Sequence, residues 1–263
     1  MIENKKYDIS EKLIHNILND YSKTCDAPIF KGDIILTDEM SKTYFEIRAD
    51  QAKQTNIKYD NLEQLNGFTV PPKEVSGTFT IVLNEKYVYE NKESFWIGTL
   101  IHEAVHVNDY IDYFSMLKVT SYDELFDKDT HSCFNFWTEF HARAIGLYFQ
   151  RKYLSDDINS KEYLENIIQT EFMFHMNRMI NNIRATNDSH QKNYELATFL
   201  GRLATWQYLY PCEFSNDFIK RTTNTIPWFA EIFSLLIKYN SLKTIFPHFE
   251  KMQTILNNCF FCN

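Results

Sequence analysis

Residues 97–106 read IGTLIHEAVH, and this stretch decides the fold that we predict for the chain. It contains His102, Glu103 and His106 in the pattern HExxH. On a helix two histidines four residues apart lie on one face, and the intervening glutamate lies beside them. Two imidazoles in this arrangement can bind one metal ion while the carboxylate serves as a base. The pattern therefore predicts a metal-binding helix.

Apolar residues recur at helical spacing around the motif, which supports a helix there. They are Ile97, Leu100, Ile101, Ala104, Val105 and Ile111. Ser94 and Gly98 stand eight and four residues before His102, so small side chains precede it on the same face. This pattern leaves open space beside the imidazoles.

A catalytic zinc ion needs a third protein ligand and an open position for water. Asp112 stands where the metzincin pattern HExxHxxGxxH places that ligand, but Asp109 replaces the glycine that allows the chain to reverse. Asp109 lies on the face of His102, about 4.5 Å further along the axis than His106. We expect Asp109 to hold an imidazole or a nearby ligand by a hydrogen bond.

Glu139 is the candidate that we favour as third ligand. It lies in FWTEFHARA, residues 136–144, within a helix predicted to run to about Tyr153. Ala142 and Gly146 follow on its face and would let another helix approach closely. A carboxylate in such surroundings is costly to bury unless it is paired or binds metal, whereas a solvated glutamate is the ordinary alternative. The predicted site is thus one Zn²⁺ ion bound by His102, His106 and Glu139.

The order of a strand, an HExxH helix and a later helix with Glu139 and Ala142 resembles the gluzincin peptidases. In particular, it looks like the ImmA/IrrE-type bacterial metallopeptidases. The resemblance covers roughly residues 75 to 150. It implies a zincin-like metal domain and a specific intracellular protein as the substrate.

The chemistry of such a site predicts a zinc-dependent metallopeptidase, a hydrolase of peptide bonds. Glu103 would be the general base that takes a proton from the zinc-activated water and returns it to the leaving amine. A donor must also stabilise the oxyanion, and the sequence does not choose among His141, Arg143, His175, His190 and Tyr194. Two alternatives stay open: a catalytically inactive binding or regulatory protein of zincin architecture, and a zinc hydrolase of a non-peptide amide.

The apolar patterns predict an α+β fold that is mostly helical. We expect strands over Asp33 to Thr37 and Gly77 to Leu83, the latter immediately before the metal helix, and a break at Asn187-Asp188-Ser189 in an otherwise helical stretch from 160 to 257. Residues 1–155 would form the zincin-like catalytic domain, with a small sheet, the HExxH helix and the Glu139 helix. Residues 156–263 would form a helical lobe packed on it.

The composition restricts partners and location. With 27 Lys and Arg against 35 Asp and Glu, the formal net charge is −8, which argues against nucleic acid or anionic lipid as a partner. The start lacks the apolar core of a signal peptide, and no apolar stretch is long enough to cross a bilayer. We therefore expect a cytoplasmic protein whose partner is a protein or peptide substrate, without a membrane role.

The five cysteines are an odd number in a chain large enough to fold without disulfides, so reduced thiols are expected. Cys259 and Cys262 have the spacing of half a zinc site or a redox pair. No second CxxC accompanies them in the sequence, so they carry no assigned role.

Overall fold

The computed structural model describes residues 11–50, 62–74, 76–91, 93–125, 127–154, 160–223 and 227–261. These residues are mostly helical and include one three-stranded sheet, which confirms the predicted mostly helical α+β class. The chain divides into two compact units. The first comprises residues 1–125 and 149–154, and the second comprises 126–148 and 155–263. This division differs from the predicted boundary after residue 155, because most of the Glu139 helix groups with the later residues.

The first unit contains the sheet and the helix with the HExxH motif. Its elements are α1 (Glu11–Cys25), β1 (Asp33–Thr37), α2 (Met40–Ile47), β2 (Gly67–Val70), β3 (Thr80–Asn84), α3 (Glu85–Glu90), α4 (Glu93–Leu117) and a 3-10 turn (Tyr122–Leu125). β1 has the predicted bounds, and β3 begins three residues later than predicted.

The prediction that β3 immediately precedes the metal helix is wrong, because helix α3 lies between them in the chain. Asn84 ends the strand, and its side-chain oxygen accepts a hydrogen bond from the backbone N–H of Tyr87 at 3.2 Å. This is an N-cap, and Glu85 adds a negative charge in the first turn. The local capping residues therefore start a short helix before α4 begins.

The sheet has the strand order β1-β3-β2, with β1 parallel and β2 antiparallel to β3. The central strand β3 is apolar and buried at Ile81, Val82 and Leu83, as expected for a strand covered on both faces. In the edge strand β2, buried residues alternate with partly exposed ones. Phe68 and Val70 are buried in one apolar cluster, so Thr69 lies on the opposite face of the strand.

Helix α4 runs unbroken for 25 residues through the HExxH motif. Its predicted apolar stripe is buried from Ile97 to Val105, whereas Ile111 is exposed. The helix ends at Leu117, and Lys118 follows it with a φ of 52° and an N–H that donates to the carbonyl of Phe114. The helix therefore continues past Asp109.

The second unit is entirely helical within the described residues. Its elements are α5 (His131–Lys152, whose last four residues group with the first unit), α6 (Lys161–Asn166), a π-helical turn (Ile167–Phe172), α7 (Met173–Ala185), α8 (Ser189–Leu209), α9 (Asn216–Thr223), α10 (Pro227–Lys238), α11 (Leu242–Ile245), a 3-10 turn (Phe246–His248) and α12 (Phe249–Phe261). Asp188 caps α8 through a bond from the N–H of His190, which confirms the predicted break. No helix in the described ranges is long and apolar enough to cross a membrane.

Helices α5 and α8 approach closely inside the second unit. A Cβ on Gly201 would lie only 2.6 Å from the carbonyl oxygen of Phe140. Four residues later, the Thr205 hydroxyl donates to the carbonyl of Ala144 at 2.7 Å. These two contacts fix α5, and with it Glu139, against α8.

Candidate metal centre

The two histidines of the HExxH motif lie side by side on α4. Their Nε2 atoms are 3.1 Å apart, and their rings are nearly perpendicular at 86°. His102 is 9% exposed and His106 is 7% exposed. Zinc–nitrogen bonds of about 2.0–2.1 Å at a tetrahedral angle would place two ligand nitrogens about 3.3 Å apart. The two imidazoles are therefore spaced as a pair of zinc ligands would be.

Glu139 on α5 provides a third donor. One ligand atom from each of His102, His106 and Glu139 lies within 4.8 Å of those of the other two. Two imidazoles and one carboxylate are a donor set that catalytic zinc uses, with a fourth position left for water. These three side chains are the ones that the sequence predicts as ligands, and the chemistry of the set fits zinc.

Glu103 lies between the two histidines on α4 and is only 6% exposed. The hydroxyl of Thr69, on strand β2, is 3.0 Å from Oε2 of Glu103 and also 3.0 Å from its backbone carbonyl oxygen. A buried carboxylate requires such hydrogen bonds. The predicted general base is therefore held by a side chain from the edge strand.

The two aspartates that follow the motif have different surroundings. Asp109 is 4% exposed, and such burial suits the supporting role that the sequence predicts for it. Asp112 is exposed. Because α4 continues straight through both positions, Asp112 lies about 9 Å beyond His106 along the helix axis. The alternative with Asp112 as third ligand lacks the chain reversal that it needs.

Two of the five oxyanion candidates lie close to Glu139 in the second unit. Tyr194 is 37% exposed, and the partial burial of its phenol raises its pKa. The charge of Arg143 opposes this rise, and the Glu139 carboxylate adds to it. Arg143 follows Glu139 by four residues on α5, one helical turn away. Its Nε atom is buried and has no hydrogen-bond partner among the described residues. Both side chains can donate hydrogen bonds close to the third predicted ligand.

The other three candidates make aromatic or electrostatic contacts elsewhere in the second unit. His141 stacks on Trp137, with ring centroids 4.8 Å apart. His175 packs against Phe174 and Trp206. Burial lowers the pKa of His131, and the nearby His190 lowers it further, so His190 lies close to that residue. All three histidines thus have contacts of their own within the second unit.

Thr69 is the residue that the sequence analysis missed. Asn66-Gly67 is a turn signal, and Phe68, Thr69 and Val70 are residue types that favour strands, so the strand itself could have been predicted. Its contact with Glu103 spans 34 residues and has no signal in the sequence.

Comparisons of the chain with models of protein families, with curated proteins and with solved structures find no match. The resemblance to the ImmA/IrrE-type metallopeptidases therefore stays a prediction from short motifs.

Proposed function

We propose that this protein is a zinc metallopeptidase of the gluzincin-like type, which hydrolyses peptide bonds in a specific intracellular protein. The observation that carries the proposal is the donor set of His102, His106 and Glu139, with ligand atoms within 4.8 Å of one another. Glu103 lies beside the two histidines on α4. Three ligands and an adjacent base are what a catalytic zinc site requires, whereas a purely structural site has four protein ligands and needs no base.

His102, His106 and Glu139 would hold the ion. A zinc ion bound there supplies Lewis acidity, which polarises the scissile carbonyl and lowers the pKa of water. The Glu103 carboxylate would accept a proton from the attacking water and deliver it to the leaving amine. Its burial at 6% exposure keeps bulk water away from this proton transfer.

Arg143 and Tyr194 are the proposed stabilisers of the oxyanion. Their proximity to Glu139 supports this role, and so does the buried Nε of Arg143 without a hydrogen-bond partner among the described residues. A tyrosine phenol is protonated at neutral pH and can donate a hydrogen bond, and the raised pKa of Tyr194 favours this form further. Donors placed where negative charge develops stabilise a transition state strongly.

The position of β2 supports a peptide as the substrate over a compact amide. Within the described sheet β2 is an edge strand, and its Thr69 contacts Glu103. An extended peptide can add to such an edge through main-chain hydrogen bonds. A peptide bound along β2 would therefore run past the proposed base.

Metal analysis tests the proposed site. Wild-type protein, Glu139→Ala and Asp112→Ala are freed of loosely bound ions, resupplied with zinc and analysed for bound metal. We expect one zinc per chain in the wild type and in Asp112→Ala, and loss of zinc in Glu139→Ala. A wild-type protein that binds no zinc would overturn the proposal.

Hydrolysis assays test the chemistry. Zinc-loaded wild type and Glu103→Gln are incubated with a peptide library and with small amide substrates, and products are identified by mass spectrometry. We expect peptide cleavage by the wild type only, with zinc content equal in both proteins. Cleavage of small amides alone would favour the amidase alternative. A zinc-loaded wild type without any hydrolysis would favour a binding or regulatory protein.

A further inference from the structure

Thr69 is placed by the sheet to meet the metal helix. It pairs with Ile81 in the antiparallel ladder, and its neighbours Phe68 and Val70 are buried on the other face of β2. Two residues earlier, a Cβ on Gly67 would lie 2.9 Å from the methyl carbon of Thr99 on α4. The backbone of β2 thus lies directly against α4, and the Thr69 hydroxyl has a fixed position relative to Glu103.

The Thr69 hydroxyl has one proton and two acceptors within reach. Both the carbonyl oxygen and Oε2 of Glu103 are 3.0 Å away. The carbonyl belongs to a helix, where it accepts a hydrogen bond within the helix itself. In its proposed role as a base Glu103 is a carboxylate, and hydrogen bonds to charged acceptors are stronger than those between neutral groups. The hydroxyl proton is therefore directed at Oε2.

We propose that Thr69 is a positioning residue that holds the Glu103 carboxylate in its working orientation. Its hydrogen bond to Oε2 restrains the carboxylate that acts as the proposed base. This inference rests on the proposed peptidase function. Without the hydroxyl, the carboxylate would lose this contact, and fewer molecules would hold the base in place.

Three substitutions test the inference in the zinc-loaded, full-length protein. Thr69→Val removes the hydroxyl at nearly constant volume, and Thr69→Ser keeps it. Thr99→Val is the matched control, because the Thr99 hydroxyl bonds only weakly to the carbonyl of Phe95 in its own helix, at 3.3 Å. We expect Thr69→Val to lower kcat by about 10- to 100-fold, as for a displaced catalytic group, with KM within about twofold of wild type. Thr69→Ser should recover most of kcat, and Thr99→Val should match the wild type.

A Thr69→Val enzyme with unchanged kcat would overturn the inference. Zinc content and thermal midpoint are measured for each variant, so that a loss of metal or of fold is not taken for a loss of positioning.

A spectroscopic measurement is independent of turnover. In metal-free protein labelled at the glutamate carboxyl carbon, the Glu103 signal is assigned by its absence in Glu103→Gln. We expect Thr69→Val to move this signal and Thr99→Val to leave it in place; an unmoved signal in Thr69→Val would overturn the inference. Absence of hydrolysis by the wild type overturns the proposed function and this inference together, whereas an active wild type unaffected by Thr69→Val overturns this inference alone.

Discussion

Gly201 lies so close to Phe140 that a Cβ on the glycine would be 2.6 Å from the phenylalanine carbonyl oxygen. The side chain of Arg143 is almost as close, with its Cβ 2.8 Å from the same point. Phe140 and Arg143 follow Glu139 by one and four positions on the same helix. The absence of a side chain at Gly201 therefore lets α8 pack closely against the part of α5 that contains Glu139.

We expect Gly201→Ala to destabilise the protein. The added methyl group meets a backbone carbonyl that cannot move without moving α5, and such overpacking costs about 1–3 kcal/mol. The better helix propensity of alanine offsets about 1 kcal/mol of this. Urea denaturation followed by circular dichroism measures the free energy of unfolding. Gly201→Leu should be worse, and a Gly201→Ala protein as stable as the wild type would contradict the close approach.

Zinc should stabilise the folded protein through the predicted site. A ligand that binds only the folded state raises the free energy of unfolding by about 4 kcal/mol when its concentration is 1,000 times its Kd. We expect zinc to raise the thermal midpoint of metal-free wild type and of Asp112→Asn, but not that of His106→Ala. Scanning calorimetry with and without zinc makes the comparison. An equal rise in His106→Ala would place the bound zinc elsewhere.

Tyr194→Phe should lower kcat and leave zinc content unchanged. Removing one donor from an oxyanion site costs about 10²- to 10³-fold in kcat, and KM changes less. Tyr208→Phe is the control, because Tyr208 lies on the same helix and is 73% exposed. Steady-state kinetics on a cleaved peptide measures both constants. Equal kcat values for Tyr194→Phe and the wild type would remove Tyr194 from the proposed mechanism.

Arg48 should make part of the stability depend on pH. Its guanidinium is 3% exposed and bonds to Asp50 and Asp123, which holds the pKa of Asp50 below its ordinary value. Because its pKa is lower in the folded protein, the Asp50 carboxylate stabilises the fold fully at pH values above its pKa in the unfolded chain, about 3.9. This stabilisation is lost as the pH falls through the pKa of Asp50 in the folded protein. We expect Asp50→Asn to cost on the order of 1 kcal/mol between pH 5 and 7.

The difference in the free energy of unfolding between wild type and Asp50→Asn should shrink below a pH of about 3.9, where Asp50 becomes protonated in the unfolded chain. Urea denaturation of wild type and Asp50→Asn, at intervals from pH 3 to pH 7, gives the two free energies of unfolding. A difference that stays constant down to pH 3 would contradict the assigned ion pair.

Cysteine labelling should distinguish Cys133 from Cys212. Cys133 is 2% exposed, and its thiol donates towards the carbonyl of Phe249 and the amide oxygen of Gln253. Burial raises the pKa of Cys133 to about 11, so little reactive thiolate forms at neutral pH. Cys212 is exposed. With iodoacetamide and peptide mapping, we expect Cys212 to react in the native protein and Cys133 only after unfolding. Equal labelling rates would contradict this burial.

Local patterns in the sequence predicted much of the secondary structure. The bounds of β1, the helix around HExxH and the break at Asp188 follow from neighbouring residues alone. The pairing of His102 with His106 is of the same kind, because a helix brings residues i and i+4 together whatever the rest of the chain does. The short helix α3 is not among the predicted elements, although its N-cap, Asn84, and Glu85 in its first turn are helix-start signals in the sequence.

Contacts between distant segments depended on the tertiary structure. The sequence predicts Glu139 as a ligand from its residue type and surroundings, but residue type gives no distance between side chains on different helices. The same holds for the bond from Thr69 to Glu103, which joins segments 34 residues apart. Helix and strand periods act over a few residues, so they determine which side chains share a face. Which faces meet is decided by burial of apolar surface and close packing over the whole chain, as at Gly201 and Phe140.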